Sequence, residues 1–197
     1  FPLGLATGRT MQPIYTALAA RVRALPVALR QRLRHDWLSF NLDEYVGLGA
    51  NDRQSFRAEM RDNLVLPLGL DPAQVRIPNG RAPDPDREAE RYAAALAKAG
   101  GLGLQLLGLG LNGHVGFNEP PCGPDAPCRC QKLSASTRAA NALAFGGEAS
   151  AVPERAITLG LVEILAAQEI LLVVTGTNKV EILQKLIKGA PCAELPA

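Results

Sequence analysis

Apolar runs of strand length alternate with helix-patterned stretches along almost the whole of this chain, and nothing else in the sequence restricts the fold so tightly. FPLGLA (1–6) reads as a buried strand ending at TGRT, and IYTALAARVRAL (14–25) has helical spacing that Pro26 breaks. WLSFNL (37–42) is a second strand running into Asp43 and Glu44, and SFRAEMRDNLVLPL (55–68) is helical as far as Pro67 and Gly69. DPDREAERYAAALAKAGG (84–101) is a helix with Asp84 as N-cap, acids in its first turn and a glycine stop. LGLQLLGL (102–109) is a third strand, followed by a glycine-rich loop, a Pro/Cys-rich stretch at 120–130, a short QKLSAST segment and a polar region to about 156. TLGLVEILAAQ then reads as helix, EILLVVTG (169–176) as a fourth strand and NKVEILQKLIKG as the closing helix. This alternation predicts an α/β fold with a mostly parallel central sheet covered on both faces.

The chain of 197 residues is 47% hydrophobic, enough for one sizeable core, so a single domain spanning 1–197 is expected. It opens abruptly on an apolar run and stops at ELPA, and further residues are expected beyond both ends. A net charge of +2, from 21 Lys+Arg and 19 Asp+Glu spread along the chain, argues against nucleic acid and anionic membranes as partners. Any bound anion must therefore be held locally. No apolar run approaches the roughly 18 residues a span needs, and FPLGLATG lacks a charged leader region, so a cytoplasmic protein is expected. Cys122, Cys128, Cys130 and Cys192 are spaced unlike paired metal knuckles and have no histidine beside them; free thiols fit better than two disulfides or a metal site.

In open parallel sheets, ligands gather beyond the carboxyl ends of the strands. Here those ends carry TGRT, NLDEY, GLGLNGH and VTGTNK. Taken singly, each has an ordinary structural reading: turn residues, helix-capping acids at Asp43 and Glu44, a satisfied loop histidine, a solvated lysine. Taken together, Asp43, His114, Glu119 and Lys179 are chemically complementary. TGRT before a helix offers free N–H groups suited to phosphate. His114, one of two histidines, follows Asn112 and precedes Glu119 in GLGLNGHVGFNEP, and a histidine with such partners can have its tautomer fixed for proton transfer.

The ordered set LATGRT, LDEYVGL, GLGLNGHVGFNEP and ITLGLVEILAAQEILLVVTGTNK, running from residue 3 to about 189, closely resembles the glucosamine-6-phosphate deaminase (isomerase) family and its relative, galactosamine-6-phosphate isomerase. The resemblance implies a Rossmann-like three-layer αβα fold. It also implies conversion of an amino-sugar phosphate to fructose 6-phosphate and ammonia without metal or organic cofactor. By the same resemblance His114 opens the pyranose ring, with Asn112 orienting it and Glu119 supporting it. Asp43 shuttles a proton between C2 and C1, while Thr7, Gly8, Arg9, Thr10, Arg138 and Lys179 hold the phosphate. A lid at 133–156 and homo-oligomeric assembly are further expectations.

The chain departs from the family pattern in places. Many members carry Asp where this chain has Asn112, which cannot stabilise an imidazolium by charge. A phosphate-binding arginine of the family falls at Leu143, and Arg9 stands where small residues are usual, offering a replacement charge. Of the allosteric phosphate site of some deaminases only Arg129 is present; Gly123 and Gln131 replace a hydroxyl and a lysine. Tyr45 and Phe117 favour the glucosamine substrate. VLPLGL, the short 120–145 region and ITLGLVEIL point to the galactosamine epimer. A non-catalytic sugar-phosphate sensor is a weaker alternative, because binding alone needs no proton shuttle, and a 6-phosphogluconolactonase relative is weaker because LDEY and FNEP resemble the amino-sugar branch.

Overall fold

A computed structural model describes residues 1–189 and 193–197. Five short strands form the central sheet: β1 (Leu3–Leu5), β2 (Ser39–Asn41), β4 (Val75–Arg76), β5 (Leu104–Gly108) and β8 (Glu169–Val173). They lie in the order β4-β2-β1-β5-β8, and every pairing is parallel. From β1 the chain first builds outward through β2 to β4, then returns to add β5 and β8 on the other side. With right-handed crossovers that reversal puts the connecting helices on opposite faces. On one side are α1 (Gln12–Arg23) and α2 (Val27–Asp36), and on the other α5 (Pro85–Lys98). The result is the expected Rossmann-like α/β sheet.

Local chemistry explains the elements. The Asp84 side chain accepts from the amides of Asp86 and Arg87, starting α5 where the sequence predicts it. The helix expected over 55–68 is present in three parts: α3 (Phe56–Met60), a π-helical turn (Arg61–Val65) and α4 (Leu66–Leu68), closed by Gly69 at φ +65°. Two buried tyrosines tie helices to strand ends: Tyr15 of α1 donates to the Ala6 carbonyl, and Tyr92 of α5 donates to those of Asn41 and Arg76. The core runs through Phe40, Met60, Leu64, Leu106 and Ile164.

A second, antiparallel sheet was not legible in the sequence. It comprises β3 (Asp43–Tyr45), β7 (Arg155–Thr158) and β6 (Arg129–Lys132), in the order β3-β7-β6. The sequence reading ends the second strand at Leu42 with Asp43 and Glu44 in a turn. Instead, Leu42 is the crossing point: its amide donates to Leu5 in the first sheet and its carbonyl accepts from Leu159 beside the second. β6 is half exposed and polar, and β7 lies partly within the region read as loop, so neither shows a periodic signal. α2 was missed because it buries no residue fully and so carries no apolar stripe. The remaining helices are α6 (Ala135–Asn141), α7 (Leu161–Leu165) and α8 (Val180–Ile187). Among the described residues no helix is long and apolar enough to cross a membrane.

Candidate active site

A cleft of about 660 Å³ opens at the carboxyl ends of β1 and β5, where the strand order reverses. Thr7, Gly8, Arg9 and Thr10 line it from the end of β1, Asp43 from the entry to β3, Asn112 and His114 from the loop after β5, and Lys179 from the turn before α8. Four strand ends that are far apart in sequence therefore meet at one place.

Asp43 is buried at the crossing between the two sheets, paired in register with Thr158. Burial, followed by the negative fields of Glu44 and Glu59, pushes its carboxyl up to about 8. Its neighbour Glu44 has a different task. Oε1 accepts from the amides of Tyr45 and Phe56 and Oε2 from that of Arg57, so Glu44 caps the start of α3 from twelve residues upstream. Of the two adjacent acids, one is bound to backbone donors and the other faces the cleft.

His114 lies over Gly110, where an added Cβ would overlap the imidazole ring; only glycine permits this approach. Nδ1 lies 2.5 Å from Oδ1 of Asn112. An amide oxygen accepts, so Nδ1 carries the proton and the lone pair of the neutral ring is on Nε2. Burial holds the imidazole below its ordinary pKa; Glu119 opposes this and Lys179 adds to it. The ring is therefore a neutral acceptor near pH 7.

Glu119 lies behind the cleft wall, with no hydrogen bond to His114 and only its charge reaching the ring. Its carboxylate accepts from the Ser134 amide (2.9 Å), the Ser134 hydroxyl (2.6 Å) and the Thr137 hydroxyl. Burial raises its pKa, but these hydrogen bonds outweigh the burial and hold it below the usual range. Ser134 is also the N-cap of α6, accepting from the Thr137 amide. Glu119 thus anchors the helix that brings Ser136, Thr137 and Asn141 to the cleft.

At the opposite end, among the described residues the amides of Arg9 and Thr10 find no acceptor, and the turn leads into α1. Burial and then the charge of Arg9 lower the Lys179 pKa, which places the two cations close enough to feel each other. Free amides, a helix start and two cations make an anion site. Thr175 and Asn178, on the same turn as Lys179, also line the cleft. Phe56, Ser136 and Asn141 gave no advance signal, because their positions depend on α3 and α6 being folded against the sheet.

A profile described as glucosamine-6-phosphate isomerases/6-phosphogluconolactonase matches residues 1–197. The chain belongs to this family. It is 41% identical to a glucosamine-6-phosphate deaminase of Rhodopirellula baltica over 195 residues, 99% of this chain and 75% of that protein. It is 42% identical to one of Streptomyces avermitilis over 196 residues, 99% of this chain and 73% of that one. The solved structure of a monomeric glucosamine-6-phosphate deaminase superposes with a TM-score of 0.87 at 35% identity, covering 99% of this chain and 78% of that one. A 6-phosphogluconolactonase from Thermotoga maritima, 22% identical with a TM-score of 0.72 over 99% of this chain and 78% of that one, shares the fold.

Within this family frame, three arginine-related expectations have a structural answer. Arg138 does not line the cleft: its guanidinium donates to the carbonyls of Val152 and Ser150, on the side of α6 away from the sugar site. That corrects its assignment to the phosphate. Leu143 is 76% exposed in a 3-10 turn (Ala142–Phe145) and is likewise outside the lining. Arg129 donates to Asn118, Pro127 and Gln131 and so braces the GFNEP loop. Cys122, Cys128 and Cys130 are free, whereas Cys192 lies outside the described residues. Among the described residues no cluster of three or more His, Cys, Asp or Glu side chains could hold a metal ion.

Proposed function

We propose that the chain is a glucosamine-6-phosphate deaminase with Asp43 and His114 as its proton-transfer groups. The observation that carries this reading is a buried carboxyl near pH 8 and a tautomer-fixed histidine facing one cleft that ends in a two-cation anion site. The 6-phosphate is held by the turn Thr7–Thr10, Arg9 and Lys179. Nε2 of His114 takes the anomeric hydroxyl proton and returns one to the ring oxygen, so that the ring opens. Ionised Asp43 removes the C2 proton while O1 gains a proton given up by the substrate ammonium, giving an enolamine, and Asp43 then delivers its proton to C1. The resulting C2 imine adds water, and ammonia leaves with fructose 6-phosphate as the other product. Glu119 positions α6 and supplies a negative field to the imidazolium formed in transit.

Segment 133–156 is the part of the wall that would move as a lid, since it holds Ser136, Thr137 and Asn141 and is anchored at its start by Glu119. A cytoplasmic site of action belongs to the same reading and is supported by the free thiols. The test is ammonia release measured in parallel from glucosamine 6-phosphate and galactosamine 6-phosphate. Faster release from the glucosamine epimer is expected; faster release from the galactosamine epimer would reassign the substrate, and none from either would overturn the reading.

A further inference from the structure

The phosphate turn and the carboxylate base are tied together from below by one short helix. The Gly8 amide, in the turn itself, donates to Oε1 of Glu59 at 2.8 Å. Glu59 stands on α3, whose first amides are capped by Glu44, the residue next to Asp43. α3 therefore grips the anion site through Glu59 and the base through Glu44.

We infer that Glu59 is a positioning residue of the reaction: it fixes the Thr7–Thr10 turn through the Gly8 amide and sets a second, half-buried carboxylate on the helix that Glu44 ties to Asp43. This rests on the deaminase reading for its consequence in turnover, but not for the coupling itself. Gly8 adopts φ +100°, and the Glu59 carboxylate fixes which way its amide points, leaving those of Arg9 and Thr10 for a ligand. Asp43 feels Glu44 and Glu59, and among the described residues no cation offsets them. Glu59 faces Gln12 and Tyr15 of α1, and Tyr45 of β3 also lies in its field. Arg57, the nearest cation on α3, donates to the Ile77 carbonyl and acts on Glu44 instead. Like charges favour the protonated acid, so Glu59 holds Asp43 protonated to a higher pH than burial and Glu44 alone would.

Two variants separate charge from contact. Glu59→Gln keeps an acceptor for Gly8 and loses the charge; Glu59→Asp keeps the charge and shortens the reach. Carbon-13 NMR of the Asp43 carboxyl reads the coupling without needing turnover. Glu59→Gln should lower its midpoint by about half a pH unit or more, with KM for the sugar phosphate changed by less than about twofold. Glu59→Asp should leave the midpoint near the parent value and raise KM several-fold, about threefold or more, as the turn loosens. In the parent, the rising limb of kcat/KM should follow the Asp43 midpoint and move with it in Glu59→Gln. An Asp43 midpoint unmoved in Glu59→Gln, or moved equally by both variants, would overturn the inference, even if both variants melt earlier. Midpoints that move as expected in a parent that releases no ammonia would leave the coupling standing and remove the deaminase reading instead.

Discussion

The side-chain oxygen of Asn112 and Nδ1 of His114 are 2.5 Å apart, and this contact fixes both the tautomer and the charge available at the ring. An amide orients the imidazole without stabilising its protonated form; a carboxylate in the same place would do both. Asn112→Asp should therefore raise the His114 pKa by about one unit or more. Proton NMR titration checks this directly, because the only other histidine is the exposed His35. An unmoved midpoint would show that residue 112 does not touch the ring in solution. His114→Ala should keep phosphate affinity and lose about 100-fold to 10,000-fold in kcat.

Asp43→Asn should abolish washout of deuterium from C2, since an amide is not a base, and it should also stabilise the fold. The parent carboxyl is protonated in the folded state up to about pH 8, while in the unfolded chain it ionises near pH 4. Its favourable contribution is complete below pH 4 and is lost as pH rises through 8. The melting-temperature advantage of Asp43→Asn should therefore grow between pH 4 and 8 and level off above. Relative to pH 4 the advantage at pH 8.5 should have grown by up to roughly 5 kcal/mol, or on the order of 10–20 °C. A variant that melts earlier than the parent at pH 8.5 would show that the surroundings of Asp43 do not disfavour its ionised form.

Arg9 is the exposed member of the cation pair. Phosphate is remote from the bonds that change, so its contacts act on ground and transition states alike. A charge-assisted contact is worth about 1.5–3 kcal/mol, so Arg9→Ser should raise KM by about an order of magnitude or more with kcat little changed. A KM within twofold of the parent would leave Lys179 and the turn amides as the whole phosphate site.

Thr137→Val removes one of three donors from the buried Glu119 carboxylate. A loss of roughly 1.5–3 kcal/mol is expected at pH 7. Because Glu119 is held below its ordinary pKa, the stabilisation is present above about pH 4.3 and fades as pH falls through the folded value. Urea unfolding of parent and variant should differ at pH 7, and the gap should narrow as pH falls below about 4.3. A gap that does not narrow there would place the effect of Thr137 in packing and not in the carboxylate.

The sequence by itself determined the parallel sheet and which of its strand ends carry Arg9, Asp43, His114 and Lys179, all of which line the cleft. Period-2 and period-3.6 runs are local signals, and the TGRT, LDEY, GLGLNGH and TGTNK segments follow strands whose order forces their carboxyl ends to one edge. It could not determine the second sheet, because β3, β6 and β7 are short, partly polar and paired with residues far away in sequence: Asp43 with Thr158, Arg129 with the same residue. The roles of the acids were decided there too. Asp43 and Glu44 are adjacent and chemically similar, yet the crossing at Leu42 buries one beside the cleft and turns the other to the amides of α3. Glu119 looks from its spacing like a partner of His114 but bonds Ser134 and Thr137, and Arg138 looks like a phosphate ligand but donates to carbonyls behind α6. Spacing along a chain sets which residues are available, whereas desolvation and hydrogen-bond partners, which exist only after distant segments pack, set what each one does.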